Sequence, residues 1–145
     1  MSHSLSKLFI HIVYRIHASS VKIREEDESD LYAYIGNVIV SNGSMPIVIN
    51  GMDDHVHILC ILSKNMALAK LVEEIKRHSS RWIKKLHPHY KHFSWQSGYG
   101  GFSVSSSLHD RTKMYIENQK EHHKKIYFQE EYLTILKEYD IEFKE

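Results

Sequence analysis

The chain has 145 residues, of which 42% are hydrophobic, and its formal net charge is +1. This length suits a single domain with its own core, expected to span residues 1–145, and the hydrophobic content excludes wholesale disorder. No apolar run approaches the roughly eighteen residues of a membrane span and no secretory signal pattern is present, so we expect a cytoplasmic protein without membrane contact. The single cysteine, Cys60, excludes an intramolecular disulfide.

The first half of the chain alternates between strand-like and helix-like patterns. Segments rich in β-branched and aromatic residues predict strands, whereas Leu31, Ile35, Val38 and Ile39 recur at helical spacing. Asn-Gly is expected to end the first helix, and Pro88 to stop the second. The predicted elements, in chain order, are a strand at about 6–16, a helix at about 26–42, strands at 45–51 and 55–62, and a helix at about 66–86.

The second half begins with a short strand expected near 93–95, a glycine-rich stretch at 97–101 and the alternating segment "FSVSSS". Helices are expected at about 109–125 and 129–138. The order β-α-β-β-α-β is that of α+β, ferredoxin-like (RRM-like) domains. We therefore predict an antiparallel sheet with helices on one face, the other face free for a ligand, and an added C-terminal helix that carries a tyrosine.

The segment "GMDDHVHIL" places two histidines one residue apart at the start of a predicted strand. Residues two apart in a strand project from the same face, so His55 and His57 form a pair of imidazoles that could hold a divalent metal together with a third ligand. The alternative is a pair of hydrogen-bonded surface histidines. Asp53 and Asp54 are candidate ligands, partners of the imidazoles or, most simply, turn residues.

The segment "MYIENQKEHH" predicts a helix on which Tyr115, Gln119 and His122 share one face. Gln119 offers a third metal ligand beside a tyrosine nucleophile, and His122 is a candidate base by position. Taken alone, the same pattern also fits an amphipathic helix with Tyr115 in the core, Gln119 solvated and His122 on the surface.

Positive charge is concentrated in the second predicted helix, although the chain is nearly neutral. Phosphate contacts from this cluster would give salt-dependent DNA binding; the alternative is a solvated helix face. Trp82 is expected in the core. The glycine-rich stretch 97–101 is either a hinge, a site of close packing or an ordinary turn. The candidate nucleic-acid-binding residues are Lys76, Arg77, Arg81, Lys84 and Lys85.

Three motifs occur in an order that closely resembles the IS200/605-type, single-tyrosine transposases of the HUH nuclease superfamily. They are "DDHVHIL", "WQSGYGGFSVSSS" and "YIENQKEHH". The resemblance covers nearly the whole chain and implies that His55, His57 and Gln119 bind a divalent metal, Mg²⁺ or Mn²⁺, and that Tyr115 is the nucleophile. It implies cleavage and rejoining of single-stranded DNA at hairpin-bearing element ends through a 5′-phosphotyrosine intermediate. It also implies a homodimer, with active sites shared between subunits in many members.

Two further functions are consistent with parts of the pattern. One is a non-catalytic or domesticated relative of the same fold that binds hairpin DNA, for which the basic helix would suffice. The other is a histidine-rich metal-binding protein unrelated to DNA. The joint presence of His55, His57, Tyr115 and Gln119 favours the transposase over both.

Overall fold

The computed structural model describes residues 4–123 and 126–142, and shows one four-stranded antiparallel sheet in the order β2-β3-β1-β4. The strands are β1 (Leu8–Arg15), β2 (Met45–Gly51), β3 (His55–Leu62) and β4 (Gly100–Val104). The helices are α1 (Glu28–Ser41), α2 (Leu68–Leu86), α3 (His109–Glu117), α4 (Gln119–His122) and α5 (Phe128–Glu138). This is the predicted α+β, ferredoxin-like topology, and none of its described helices is long and apolar enough to cross a membrane.

The two central strands divide their side chains between two faces. Alternate residues such as Ile12 on β1 and Val56 and Ile58 on β3 are fully buried in the main core, against α1 and α2. The intervening residues, which include His11 and His57, point to the opposite face. Because both faces of these strands are buried, a one-residue slip in register would exchange histidines for apolar residues on both sides at once.

The second face of the sheet is not free, contrary to the sequence-based expectation. Ile116 of α3 packs against Phe9 and Leu59, and Ile135 and Leu136 of α5 pack against Val13 and Phe102. The sequence predicted the two helices, but their apolar positions did not show which surface they would cover. The candidate site residues on this face, His55 and His57, therefore lie in a covered cleft between sheet and helices.

Predicted element ends agree closely with the structure from β1 to α2 but not around residues 93–104. Trp95 forms only a single bridge to Ile16, so the strand expected near 93–95 is an extended segment. The fourth strand lies downstream, where glycines permit close packing: a Cβ on Gly100 would fall 2.8 Å from the Tyr132 ring, and one on Gly101 2.6 Å from Leu68. Close packing is thus the role of these two glycines.

The helix boundaries predicted from glycine and proline are confirmed. Gly43 adopts a φ of 79°, and the amides of Gly43 and Ser44 donate to the carbonyls of Val40 and Ile39 in the last turn of α1. The α2 helix ends at Leu86, two residues before Pro88. Trp82 packs against the main core with its ring stacked on Tyr34 at 5.0 Å, as expected.

One buried carboxylate links the start of α1 to the segment after α2. Asp27 accepts hydrogen bonds from Arg24 Nε at 2.8 Å and from the Tyr90 hydroxyl at 2.5 Å. The hydrogen bond from Arg24, followed by that from Tyr90, holds the pKa of the Asp27 carboxyl below its usual value despite burial.

We predict that Asp27→Asn lowers the free energy of unfolding by about 2 kcal/mol at pH 7, because the buried charge-assisted hydrogen bonds are lost. A depressed carboxyl pKa stabilises the fold above the unfolded-state pKa of roughly 4, and this contribution disappears as the pH falls through the folded-state value. Urea unfolding at pH 7 and below pH 4 should therefore show a difference between the two proteins that shrinks in acid. Asp30→Asn, at an exposed position three residues away, is the matched control and should change little.

Candidate active site

The two histidines of β3 share one face of the sheet, as predicted. His55 and His57 are both fully buried, while Val56 between them points into the main core. Their rings lie 5.2 Å apart at 78° to each other. The strand thus presents two imidazoles to the cleft beneath the C-terminal helices, which excludes the alternative of two surface histidines.

Each imidazole is held by a partner on its Nδ1 atom. His55 Nδ1 lies 2.7 Å from Asp54 Oδ1, and His57 Nδ1 lies 2.8 Å from His11 Nε2. Burial lowers the pKa of His11 to about 3, so its ring is neutral at neutral pH. These contacts fix both rings with their Nε2 atoms directed toward the same space, the arrangement typical of metal-binding histidines.

The tyrosine and glutamine of the predicted helix also reach this space, but from two short helices rather than one. Asn50 Nδ2 donates to the carbonyls of Ile116 and Glu117, which are freed where α3 ends. After this break, α4 turns Gln119 inward, where it is fully buried with its Oε1 atom 3.2 Å from His55 Nε2. The expectation of one continuous helix over 109–125 is therefore wrong, and residues 124 and 125 lie outside the described ranges.

The centre of the site is Glu131 on α5, which the sequence analysis did not identify. Its carboxylate is 2% exposed and receives the Tyr115 hydroxyl in a short hydrogen bond. His57 Nε2 lies 2.9 Å from Oε1, and Gln119 Nε2 donates to Oε2 at 3.0 Å. His123 Nε2 is 3.1 Å from Oε1. A single carboxylate thus connects the sheet histidines with all three C-terminal helices.

The electrostatics of the site follow from these contacts. Burial alone would raise the pKa of the Glu131 carboxyl, but the interactions with His57, Tyr115 and Gln119 outweigh it and place the pKa well below its usual range. Burial, followed by the neighbouring Glu131, raises the pKa of the Tyr115 phenol above its ordinary value. Glu131 is therefore ionised and Tyr115 protonated at neutral pH, so nucleophilic attack requires removal of the phenolic proton.

Four groups in this cluster could hold a metal ion. His55, His57, His123 and Glu131 each offer a ligand atom, and these atoms all lie within 4.8 Å of one another. Their Nε2 and carboxylate oxygen donors suit Mn²⁺ or Zn²⁺, and three imidazoles are less suited to Mg²⁺, which prefers oxygen. The carboxylate supplies negative charge in an otherwise neutral ligand set. The residues present therefore fit a divalent cation.

Several positions in the site differ from the sequence-based expectation. Asp54 contacts His55 rather than acting only as a turn residue, whereas Asp53 is exposed and lies 3.7 Å from Lys22. His122 is half-buried, with its Nε2 atom 3.3 Å from Glu131 Oε2 but without a hydrogen bond within the described part of the chain. This places His122 in the cleft rather than on the open surface.

Three site residues were missed because their signals were weak. Side chains alternate along β1, so His11 and Val13 share one face of the sheet. Because Val13 is the direct partner of His57, this alternation could have placed His11 on the face of the histidine pair. His123 is the last residue of the segment "YIENQKEHH", in which only Tyr115, Gln119 and His122 were assigned to one helix face. Glu131 carried no signal, because a glutamate in an amphipathic helix is ordinarily solvated, and only the packing of α5 reveals its burial.

The predicted basic cluster lies on α2, on the opposite side of the sheet from the histidines. Lys76 is engaged locally: its ammonium donates to the carbonyls of Gln96 and Gly98, and burial lowers its pKa to about 8. Arg77 pairs with Glu74 at 2.6 Å. The remaining members, Arg81, Lys84 and Lys85, are exposed. The structure thus brings Tyr115 and Gln119 to the histidine pair but keeps the basic cluster apart from them.

Paired histidines, a tyrosine and a carboxylate thus lie together in a cleft on a ferredoxin-like sheet, and their donor atoms fit a divalent cation. The family model described as "Transposase IS200 like" matches residues 4–119. The chain therefore belongs to the IS200-like transposase family, and this membership supports an enzymatic DNA transposase. The matched segment ends at Gln119, so α5 and Glu131 lie beyond it.

Two solved structures share the fold. A candidate transposase from Deinococcus radiodurans R1 is 22% identical, with a TM-score of 0.64, and the alignment covers 82% of this chain and 95% of that one. A REP-associated tyrosine transposase bound to a REP hairpin is 13% identical, with a TM-score of 0.60, covering 87% and 76%. Comparison with curated proteins gives no match.

We predict that Asp54→Asn weakens Mn²⁺ binding by roughly 10- to 100-fold, because the Asp54 carboxylate contacts His55 Nδ1 and so orients the ring with its Nε2 atom toward the cluster. Isothermal titration with Mn²⁺ measures the effect directly and does not depend on DNA. Asp53→Asn is the matched control in the same turn and should bind Mn²⁺ like the wild type. Equal affinities for all three proteins would show that Asp54 does not support a metal ligand.

Proposed function

We propose that the protein cleaves and rejoins single-stranded DNA at hairpin-bearing element ends, with Tyr115 as the nucleophile. The observation that carries this proposal is the convergence of the Tyr115 hydroxyl, the two buried β3 histidines and Gln119 on one ionised carboxylate, Glu131. In the proposed reaction, a bond forms between the tyrosine oxygen and phosphorus while the bond from phosphorus to the 3′ oxygen breaks. The products are a 5′-phosphotyrosine and a free 3′-hydroxyl.

The proton balance of this step is supplied by the residues around Tyr115. The phenolic proton passes along its hydrogen bond to Glu131 Oε2, next to His122, and is returned by way of solvent to the departing 3′ oxygen, so that the step neither gains nor loses a proton. The phosphotyrosine ester retains the energy of the broken bond, so a 3′-hydroxyl can reverse the step without ATP. Strand rejoining therefore requires no separate source of energy.

We propose that His55, His57 and Gln119 hold a divalent cation, as the family resemblance implies, and that Glu131 adds a carboxylate oxygen, with His123 beside them. Such a cation would neutralise charge that develops on a non-bridging phosphate oxygen. The histidine content favours Mn²⁺ over Mg²⁺. His11 and Asp54 keep the two β3 imidazoles oriented.

The single chain contains every member of the proposed site. The α3, α4 and α5 helices all reach the histidines of their own sheet. We therefore propose that Tyr115 acts in the same subunit as His55 and His57. The homodimer remains a prediction from the family resemblance, and sedimentation at micromolar concentration would test it separately.

We predict that Tyr115→Phe abolishes the covalent adduct with hairpin-bearing single-stranded DNA labelled at its 3′ end, because it removes only the attacking oxygen. The label is placed at the 3′ end because the 5′-phosphotyrosine joins the protein to the segment on the 3′ side of the cut. Denaturing gel electrophoresis in the presence of Mn²⁺ detects the adduct as a retarded, labelled protein band. Tyr127→Phe is the matched control, since Tyr127 is 79% exposed and outside the cleft, and it should form the adduct normally. Retention of the adduct in the Tyr115 variant would rule out this residue as the nucleophile.

The same assay separates the non-catalytic or domesticated alternatives from this proposal. Removal of metal with EDTA should abolish the adduct while hairpin binding, measured by fluorescence anisotropy, persists. Hairpin binding without any adduct in the wild-type protein, with or without Mn²⁺, would instead support a hairpin-binding module. A module that only binds DNA does not need an ionised carboxylate hydrogen-bonded to a tyrosine hydroxyl. The contact between Glu131 and Tyr115 therefore favours the catalytic function over the binding module.

A further inference from the structure

A cavity of about 530 Å³ lies next to the candidate active site but takes no part in the chemistry proposed above. It is bounded by the end of β1, the loop 96–99 and the start of α5. Four aromatic residues line it, together with two amides and one guanidinium. These residues are Tyr14, Arg15, Gln96, Tyr99, Phe128, Gln129 and Tyr132.

The aromatic side chains of the cavity form planar, partly accessible surfaces. The Phe128 and Tyr132 rings are stacked at 5.6 Å and 13° to each other, and Tyr99 is 38% exposed. The Arg15 guanidinium lies 6.0 Å from the centre of the Phe128 ring. Within the described part of the chain, no acidic side chain lines the cavity. An anionic ligand with a flat, polar-edged ring system fits these walls.

The cavity adjoins the metal-binding cluster directly. The Phe128 ring is 4.5 Å from the His55 ring, so this side chain forms part of both sites. Arg15 is the direct partner of His55 on the neighbouring strand. A ligand in the cavity would therefore lie within one or two nucleotides of a phosphate positioned at His55 and Tyr115.

The loop that forms one wall is fixed in place and extends toward the basic helix. Lys76 of α2 donates to the carbonyls of Gln96 and Gly98, and the amide of Gln96 donates to the carbonyl of Arg15. The other side of the loop faces a second cavity of about 490 Å³, lined by Lys76 and Arg77. A DNA strand could thus pass from the basic helix, over this loop, to the active site.

We propose that the cavity takes a single unstacked nucleobase from the strand being cleaved, and that Gln96 and Gln129 contribute to the choice of base. This inference rests on the proposed function, because it uses Tyr115 cleavage to define the position of the base. Stacking on the aromatic walls would supply sequence-tolerant affinity, and amide groups can hydrogen-bond to the edges of a base. The cavity would in this way set where the strand is cut.

The test uses a pool of hairpin oligonucleotides with randomised single-stranded flanks, incubated with full-length protein and Mn²⁺. Sequencing the DNA covalently attached to Tyr115 gives the base preference on the 3′ side of the cut, and sequencing the released strands that end in a 3′-hydroxyl gives the preference on the 5′ side. We expect the wild type to show a preference at one position within two nucleotides of the cleaved phosphate. Gln96→Ala and Gln129→Ala should reduce that preference several-fold and leave the other positions unchanged.

Controls separate base recognition from a structural effect and from failure of the chemistry. Glu130→Ala, on the neighbouring exposed residue of α5, should retain the wild-type preference. Mn²⁺ affinity should be unchanged in all three variants. Phe128 is not substituted, because its ring touches His55 and a change there could alter metal binding. If the wild type forms the adduct without any base preference, or if the glutamine variants keep the wild-type preference, the nucleobase assignment is overturned. The cleavage function stands in both cases. Absence of any wild-type adduct would instead overturn the proposed function, and the nucleobase assignment with it.

Discussion

The arrangement of the site depends on the burial of one charged carboxylate. A carboxylate that is removed from water is stable only if donors surround it, and Glu131 is met by Tyr115, Gln119, His57 and His123. These donors come from β3, from α3, and from α4 with the residue that follows it, while Glu131 itself belongs to α5. The same contacts that compensate the buried charge therefore bring the C-terminal helices onto the sheet and assemble the proposed catalytic groups.

The sheet side of the site is determined by strand geometry. His55 and His57 share a face because residues two apart in a strand do so, and the apolar residues between and after them hold the register against α1 and α2. The helical side depends on finer contacts. The Asn50 side chain donates hydrogen bonds to the carbonyls at the end of α3. The helix is interrupted after this point, and Gln119 on α4 is buried in the cleft.

The sequence predicted the topology, most element boundaries and the histidine–tyrosine–glutamine set, because periodicity, proline and Asn-Gly signals are local. It did not predict what depends on long-range packing. Glu131 lies 74 residues from His57, and nothing within α5 marks this glutamate as buried. For the same reason the covered second face and the true position of β4 were missed. The basic residues of α2 were found readily, but sequence could not show that they lie across the sheet from the histidines.

The central claim is that one chain completes its own site, and mixing two inactive variants tests it most directly. His57→Ala lacks an imidazole of the cluster, and Tyr115→Phe lacks the nucleophile. If both groups must come from the same chain, a mixture that has been co-expressed or refolded together forms no covalent adduct with hairpin DNA, although the wild type does. Recovery of the adduct in the mixture would show that the tyrosine of one subunit serves the histidines of another, and would contradict the arrangement described for this chain.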